Sequence, residues 1–174
     1  FFGLCNVSGK RAVVKLNGRS PQVISEPIAN RLQALTTVSD AVGALCFVGG
    51  LNTYVLTFPT ERVTWAYDFK TDTWSQWSSW LLSSGTHAPF TGKFCIYAKD
   101  WNKHYTLGSD GNLFEFSRNV FEDNGKVIKS SVRTGWIDHG TWDRKRSDQL
   151  LIKLKGYLDT PATLLMRVRD DGRP

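Results

Sequence analysis

An all-β fold is predicted for this 174-residue chain by three features of its sequence. Aromatic residues reach 13% and suit pleated, half-buried strands, while 15 Gly supply the turns between them. Four of the seven Trp (Trp65, Trp74, Trp77 and Trp80) fall within residues 64–80, among Asp and Thr turn residues. A unit made of a hydrophobic-Cys start, a short turn and a second apolar run recurs three times. It reads "LCNVSGKRAVVKL" from Leu4, "LCFVGGLNTYVLTF" from Leu45 and "FCIYAKDWNKHYTL" from Phe94.

The three cysteines, Cys5, Cys46 and Cys95, are 41 and 49 residues apart, an interval near the length of a four-stranded propeller blade. The middle unit is the most complete. "ALCFV" (44–48) reads as a strand, Gly49-Gly50-Leu51-Asn52 as its turn, and "TYVLTF" (53–58) as a second strand ended by Pro59. "VTWAYDF" (63–69) is a third strand, "KTDT" a tight turn, and "WSQWSSW" (74–80) a fourth; a meander is the simplest connection. In the last unit "KHYTLG" is a strand, Ser109-Asp110-Gly111-Asn112 a turn, and "LFEFS" the returning strand.

Alternation places Trp65 and Tyr67 on one strand face and Ala66 and Asp68 on the other. Trp74 and Trp77 are three residues apart, so a regular strand sends them to opposite faces. Trp65, Tyr67, Trp74 and Trp77 are therefore expected to be structural core, filling the contacts between stacked sheets, rather than a platform for stacking a ligand.

One helix is expected, at about residues 26–36. Ser25 is placed to cap it, Pro27 suits its first turn, and Ile28, Leu32 and Leu35 give it one apolar face. The expected architecture is thus propeller-like blades of antiparallel strands over residues 1–126, with one short inserted helix. A basic β-rich segment follows over residues 127–174. Hydrophobic residues at 41% support a core for one domain, or one and part of another. No apolar run reaches the about 18 residues of a transmembrane helix, so none is expected. "FFGLCNVSGK" lacks a basic leader and a long apolar run, and no secretory signal is expected. The strand-like opening and the stop at a turn in "RVRDDGRP" suggest part of a longer chain.

The net charge of +6 is concentrated. Residues 126–155 carry 8 Lys/Arg against 3 Asp/Glu, whereas residues 1–125 carry 11 against 10. "DHGTWDRKRSD" (138–148) groups Arg144, Lys145 and Arg146, with Lys126, Lys129 and Arg133 upstream. "QLLIKLK" (149–155) and "TLLMRVR" (163–169) alternate, with Leu150, Ile152, Leu154, Leu164, Met166 and Val168 inward. As a hairpin they would present Lys153, Lys155, Arg167 and Arg169 outward. Arg144, Lys145, Arg146, Lys153, Lys155, Arg167 and Arg169 are the candidate contacts to DNA phosphates or to an acidic partner. Solvated strands and a loop salt-bridged to Asp143 and Asp148 remain the structural alternative, and no motif for reading bases frames these residues.

Catalytic signatures are missing. His87, His104 and His139 have no metal-ligand spacing, and Cys5, Cys46 and Cys95 form no C-x-x-C motif. The cysteines read as buried apolar thiols. Neither a nucleophile elbow, a P-loop nor a dinucleotide-binding turn occurs. Glu122-Asp123 and Asp170-Asp171 are sequence neighbours that point apart on a strand, so neither makes an acid–base pair by itself. "SDGN" and "RDDGRP" only partly follow the structural Asp-box turns of sialidase-like propellers. No enzyme activity, cofactor or metal is expected.

The order of "KLNGRSPQVISEPI", "SDAVGALCFVGGLNTYVLTFP" and "TWAYDFKTDTWSQW", followed by "SDGNLFEFSRNVFEDNGKVIKSSVRTGWIDHG" and "LLMRVRDDGRP", resembles a known family. These are the packaged-DNA stabilisation proteins of short-tailed bacteriophages, also described as tail hub or nozzle proteins. The resemblance covers most of the chain. Where the family continues its last motif as a DGG-type turn and Trp, this sequence has Asp170-Asp171-Gly172 followed by Arg173 and Pro174. The resemblance implies a non-enzymatic structural protein of the virion tail, made in the bacterial host cytoplasm. It implies a homo-oligomeric ring, six subunits by analogy, below the portal and its adaptor. Such a ring closes the tail channel and retains packaged DNA, with sequence-independent contact to the genome. It implies no membrane span and transfers no catalytic residue.

Two other classes fit parts of the sequence. A kelch-like interaction module is suggested by the spacing of Tyr67, Asp68, Thr73 and Trp74, with Gly49-Gly50 as the double glycine. A carbohydrate-active propeller would need two acids across a cleft.

Overall fold

The computed structural model describes residues 1–48, 50–108, 110–117, 119, 120, 122–133, 151, 165 and 166. The chain divides into two compact units, Phe1–Val132 and Arg133–Pro174. The first unit is built almost wholly of antiparallel strands, as the aromatic and glycine content predicts.

Its first sheet contains β1 (Phe2–Val7), β2 (Lys10–Asn17) and β3 (Ser20–Val23) in sequential order. A single turn of 3-10 helix, Glu26–Ile28, leads into α1 (Ala29–Ala34). The second sheet is a five-stranded meander: β4 (Val42–Val48), β5 (Leu51–Phe58), β6 (Val63–Asp68), β7 (Thr73–Leu81) and β8 (Thr86–Pro89). The third contains β9 (Gly92–Ala98), β10 (Lys103–Gly108) and β11 (Leu113–Glu115). A small hairpin follows, β12 (Glu122–Asp123) with β13 (Lys126–Val127). It spans the position at which the sequence turns basic.

The four strands expected between residues 44 and 80 all form, and a fifth, β8, extends the meander. The expected four-residue turn at 49–52 is shorter. Leu51 and Asn52 already pair with Val48 and Phe47, and Gly50 takes the positive φ of 85° that the tight connection demands. Between β6 and β7 the turn is stabilised locally. The Lys70 amide donates to the Asp68 carboxylate at 2.7 Å, Asp72 adopts φ 52°, and the Tyr67 hydroxyl donates to Asp72 at 2.6 Å. After β10, Gly111 has φ 82°, and Asp110 Oδ1 accepts from the Asn112 amide at 3.1 Å.

The central sheet has both faces covered. Tyr54, Leu56, Phe58, Trp65 and Tyr67 point into a core shared with Val13, Ile28 and Leu32 of the first sheet and helix, against which Phe2, Leu4 and Trp74 also pack. On the opposite face Cys46, Val55 and Ala66 are buried with Trp77, Cys95 and Phe116 packed on them. Trp65 and Tyr67 thus share a face that excludes Ala66, and Trp74 and Trp77 part to opposite faces, as alternation requires. The sheets stack in chain order, with an aromatic-rich layer between the first and second and a smaller one between the second and third.

The helix lies where its apolar spacing places it, with Ile28 and Leu32 buried. Its start differs from expectation. Ser25 makes no side-chain cap. Its buried Oγ instead accepts the Val13 amide at 2.9 Å, because β3 pairs with β2 only as far as Val14 and the Val13 N–H needs a partner. One position further along the same edge, Gln33 of α1 pairs with the Arg11 backbone in place of a strand.

Candidate functional site

The recurrence of the cysteine unit has a structural counterpart. Cys5, Cys46 and Cys95 occupy the first strand of successive sheets, each opposite the returning strand at Ala12, Thr53 and Thr106. The equivalence is in strand order, not in facing. Cys46 and Cys95 meet across the second interface. Phe2 and Leu4 face the first core, so Cys5, next along the strand, faces away from it.

Of the four Trp and Tyr positions expected to be core, two are fully in it and two pack against it. Trp65 and Tyr67 are buried, at 3% exposure each. Trp74 is half-buried, and its Nε1–H donates to the Ile24 carbonyl at 2.7 Å, tying β7 to the approach to the helix. Trp77 lies edge-on to Phe90, with centroids 5.4 Å apart, and tilts against Phe116 at 6.0 Å. None of these rings is presented as an open stacking platform.

The basic candidates Arg144, Lys145, Arg146, Lys153, Lys155, Arg167 and Arg169 lie outside the described residues, as do His139 and the expected turn between the last two strands. Leu151 and Leu165, expected to point outward from strands, are exposed, but neither lies in a strand. Met166, expected to point inward, is half exposed and not in a strand. Of the upstream cations, Lys129 places its Nζ 3.7 Å from the centroid of the Trp80 ring, so its charge is already engaged by an aromatic face. Asp110 is held below the usual carboxylate range, chiefly by hydrogen bonds from Asn112 and in small part by the charge of Lys126. Arg133 is exposed.

The two described histidines, His87 and His104, have structural partners. His87 Nδ1 bonds the Ser78 hydroxyl at 2.8 Å and its ring lies edge-on to Trp80. His104 is buried on the inner face of β10, beside Tyr97 and Phe47. Its Nε2 accepts the amide of Phe47 at 3.4 Å, satisfying an N–H on the free edge of β4. The proton of the neutral ring therefore sits on Nδ1, which is buried without a partner among the described residues. Burial lowers the pKa of His104. Among the described residues no group of three or more His, Cys, Asp or Glu is placed to hold a metal ion, and no helix is long and apolar enough to cross a membrane.

Among the described residues, both outer faces of the stack expose apolar side chains. On the third sheet Ile96, Trp101 and Leu113 are exposed beside half-buried Phe94 and Tyr105, with Trp101 edge-on to Tyr105. One ion pair, Lys103 to Glu115 at 2.8 Å, crosses this face. On the first sheet Val7, Leu16 and Val23 are exposed on the side away from the core. Sequence pattern finds these strands apart from β3, but which of two apolar faces stays open depends on the order of stacking.

No protein-family model, curated protein or solved structure matches the chain.

Proposed function

We propose that this chain is a structural part of a short bacteriophage tail, a rigid β building block. Copies of it join in a ring below the portal and adaptor, close the channel and help retain packaged DNA. A propeller-like arrangement of the sheets belongs to the same proposal. The observation that carries it is the open apolar face at each end of the sheet stack. Inside the chain, faces of this kind are covered twice by a neighbouring sheet. A second copy continues that pattern, setting the aliphatic face of one first sheet on the aromatic face of another third sheet. The resemblance of the order of sequence features to that of tail hub proteins supports the same reading, and the +5 segment would supply phosphate-neutralising charge around such a ring.

The test is the association state of the protein carrying Ile96→Lys and Leu113→Lys together. Both side chains are exposed, so the fold is retained. Sedimentation is expected to show subunits in place of rings. Rings of unchanged size and stability would overturn the assignment of this face.

A further inference from the structure

Cys46 and Cys95 come together where the second and third sheets approach most closely, between β4 and β9. Cys46 is fully buried; Cys95 is half-buried, on the edge strand β9. Both pack in one small cluster with Val55 and Ala66. The neighbouring Cys95 thiol and burial push the pKa of Cys46 up, while the neighbouring Cys46 thiol draws that of Cys95 down. The less buried Cys95 is the sulfur a peroxide meets first, with a second thiol packed in the same cluster to resolve what it forms. Cys5 lies on a different sheet and has no such neighbour; its thiol donates to the Ala12 carbonyl at 3.7 Å.

We propose that Cys46 and Cys95 are an oxidative modification site that closes to an inter-sheet disulfide when the protein meets a hydroperoxide. The Cys95 thiolate attacks one peroxide oxygen, the O–O bond breaks, and the departing hydroxide takes up the thiol proton as water. Cys95 is left as a sulfenic acid. The Cys46 sulfur then attacks the Cys95 sulfur, the S–O bond breaks, and the hydroxyl leaves as water with the Cys46 proton. Two thiols have lost two electrons and two protons, and hydrogen peroxide has become two waters. The product staples β4 to β9 and closes the chain between them into a covalent loop.

The experiment treats the native protein with hydrogen peroxide, blocks remaining thiols, and maps tryptic peptides without reduction. A Cys46–Cys95 linked peptide is expected, removed by dithiothreitol, with Cys5 recovered as the blocked thiol. In Cys46→Ser, Cys95 is expected to be trapped by dimedone as the sulfenic acid. In Cys95→Ser, Cys46 is expected to stay unmodified. The cross-linked wild type is expected to unfold at higher urea than the reduced protein. Recovery of both thiols free after treatment, or oxidation reaching Cys5 ahead of Cys95, would overturn the proposal. The wild-type peptide map decides the matter even if a variant folds poorly.

Discussion

The side-chain amide of Gln33 bonds both backbone groups of Arg11: its Oε1 accepts the Arg11 N–H at 3.3 Å and its Nε2 donates to the Arg11 carbonyl at 2.8 Å. A helix residue thereby completes the ladder of β2 beyond the end of β3. Arg11 returns a bond of its own, from its guanidinium to the Leu35 carbonyl at the helix C-terminus. Gln33→Ala removes two exposed hydrogen bonds and is expected to lower stability by about 1 kcal/mol. Urea unfolding is the measurement, with a lower midpoint and an unchanged slope. Gln33→Glu, which keeps only the acceptor, is expected to fall on the same side.

Trp77 and Trp101 have opposite roles despite being the same residue type. Trp77 fills the second interface between Phe90 and Phe116, and Trp77→Ala is expected to cost about 3 kcal/mol. Trp101, 68% exposed on the open face, is expected to change monomer stability by less than about 0.5 kcal/mol when made Ala, while weakening association. Paired urea melts and sedimentation separate the two.

His104 sets a pH dependence. Its pKa is depressed by burial in the fold, so between that lowered value and the ordinary value near 6.5 the unfolded chain binds more protons. Stability from this group is complete above about pH 6.5 and is lost as pH falls through that window. Phe47 and Tyr97 pack beside the ring. His104→Gln is expected to flatten the pH profile of the urea midpoint there; a slope as steep as that of the wild type would contradict the assignment.

Arg144, Lys145 and Arg146 are tested together. Changing all three to Ser is expected to reduce the slope of log affinity for duplex DNA against log salt by about 2–3. The circular dichroism spectrum is expected to remain unchanged. Equal salt dependence in the two proteins would remove the phosphate-binding role.

Much of this fold can be read locally. The split of Trp65 and Tyr67 from Ala66, and of Trp74 from Trp77, needs only the two-residue period of a strand. Asp110 to Asn112 announces its turn by residue type. What escapes is whatever depends on distant partners. β3 contains Pro21 and little apolar pattern, and forms because β2 offers it an edge. β8 has the weakly apolar sequence THAP and forms by pairing with the end of β7. Ser25 has the right type and place to cap a helix, yet its hydroxyl goes to a strand amide twelve residues back. The meeting of Cys46 with Cys95 needs the third sheet to fold onto the second, which no local spacing encodes.

Electron microscopy of the protein in its assembly tests the structural role most directly. A closed ring of identical subunits, six by resemblance, is expected around an axial channel, with the Ile96–Leu113 face of each subunit against the first sheet of the next. Isolated subunits at every concentration, with both end faces bare, would contradict it.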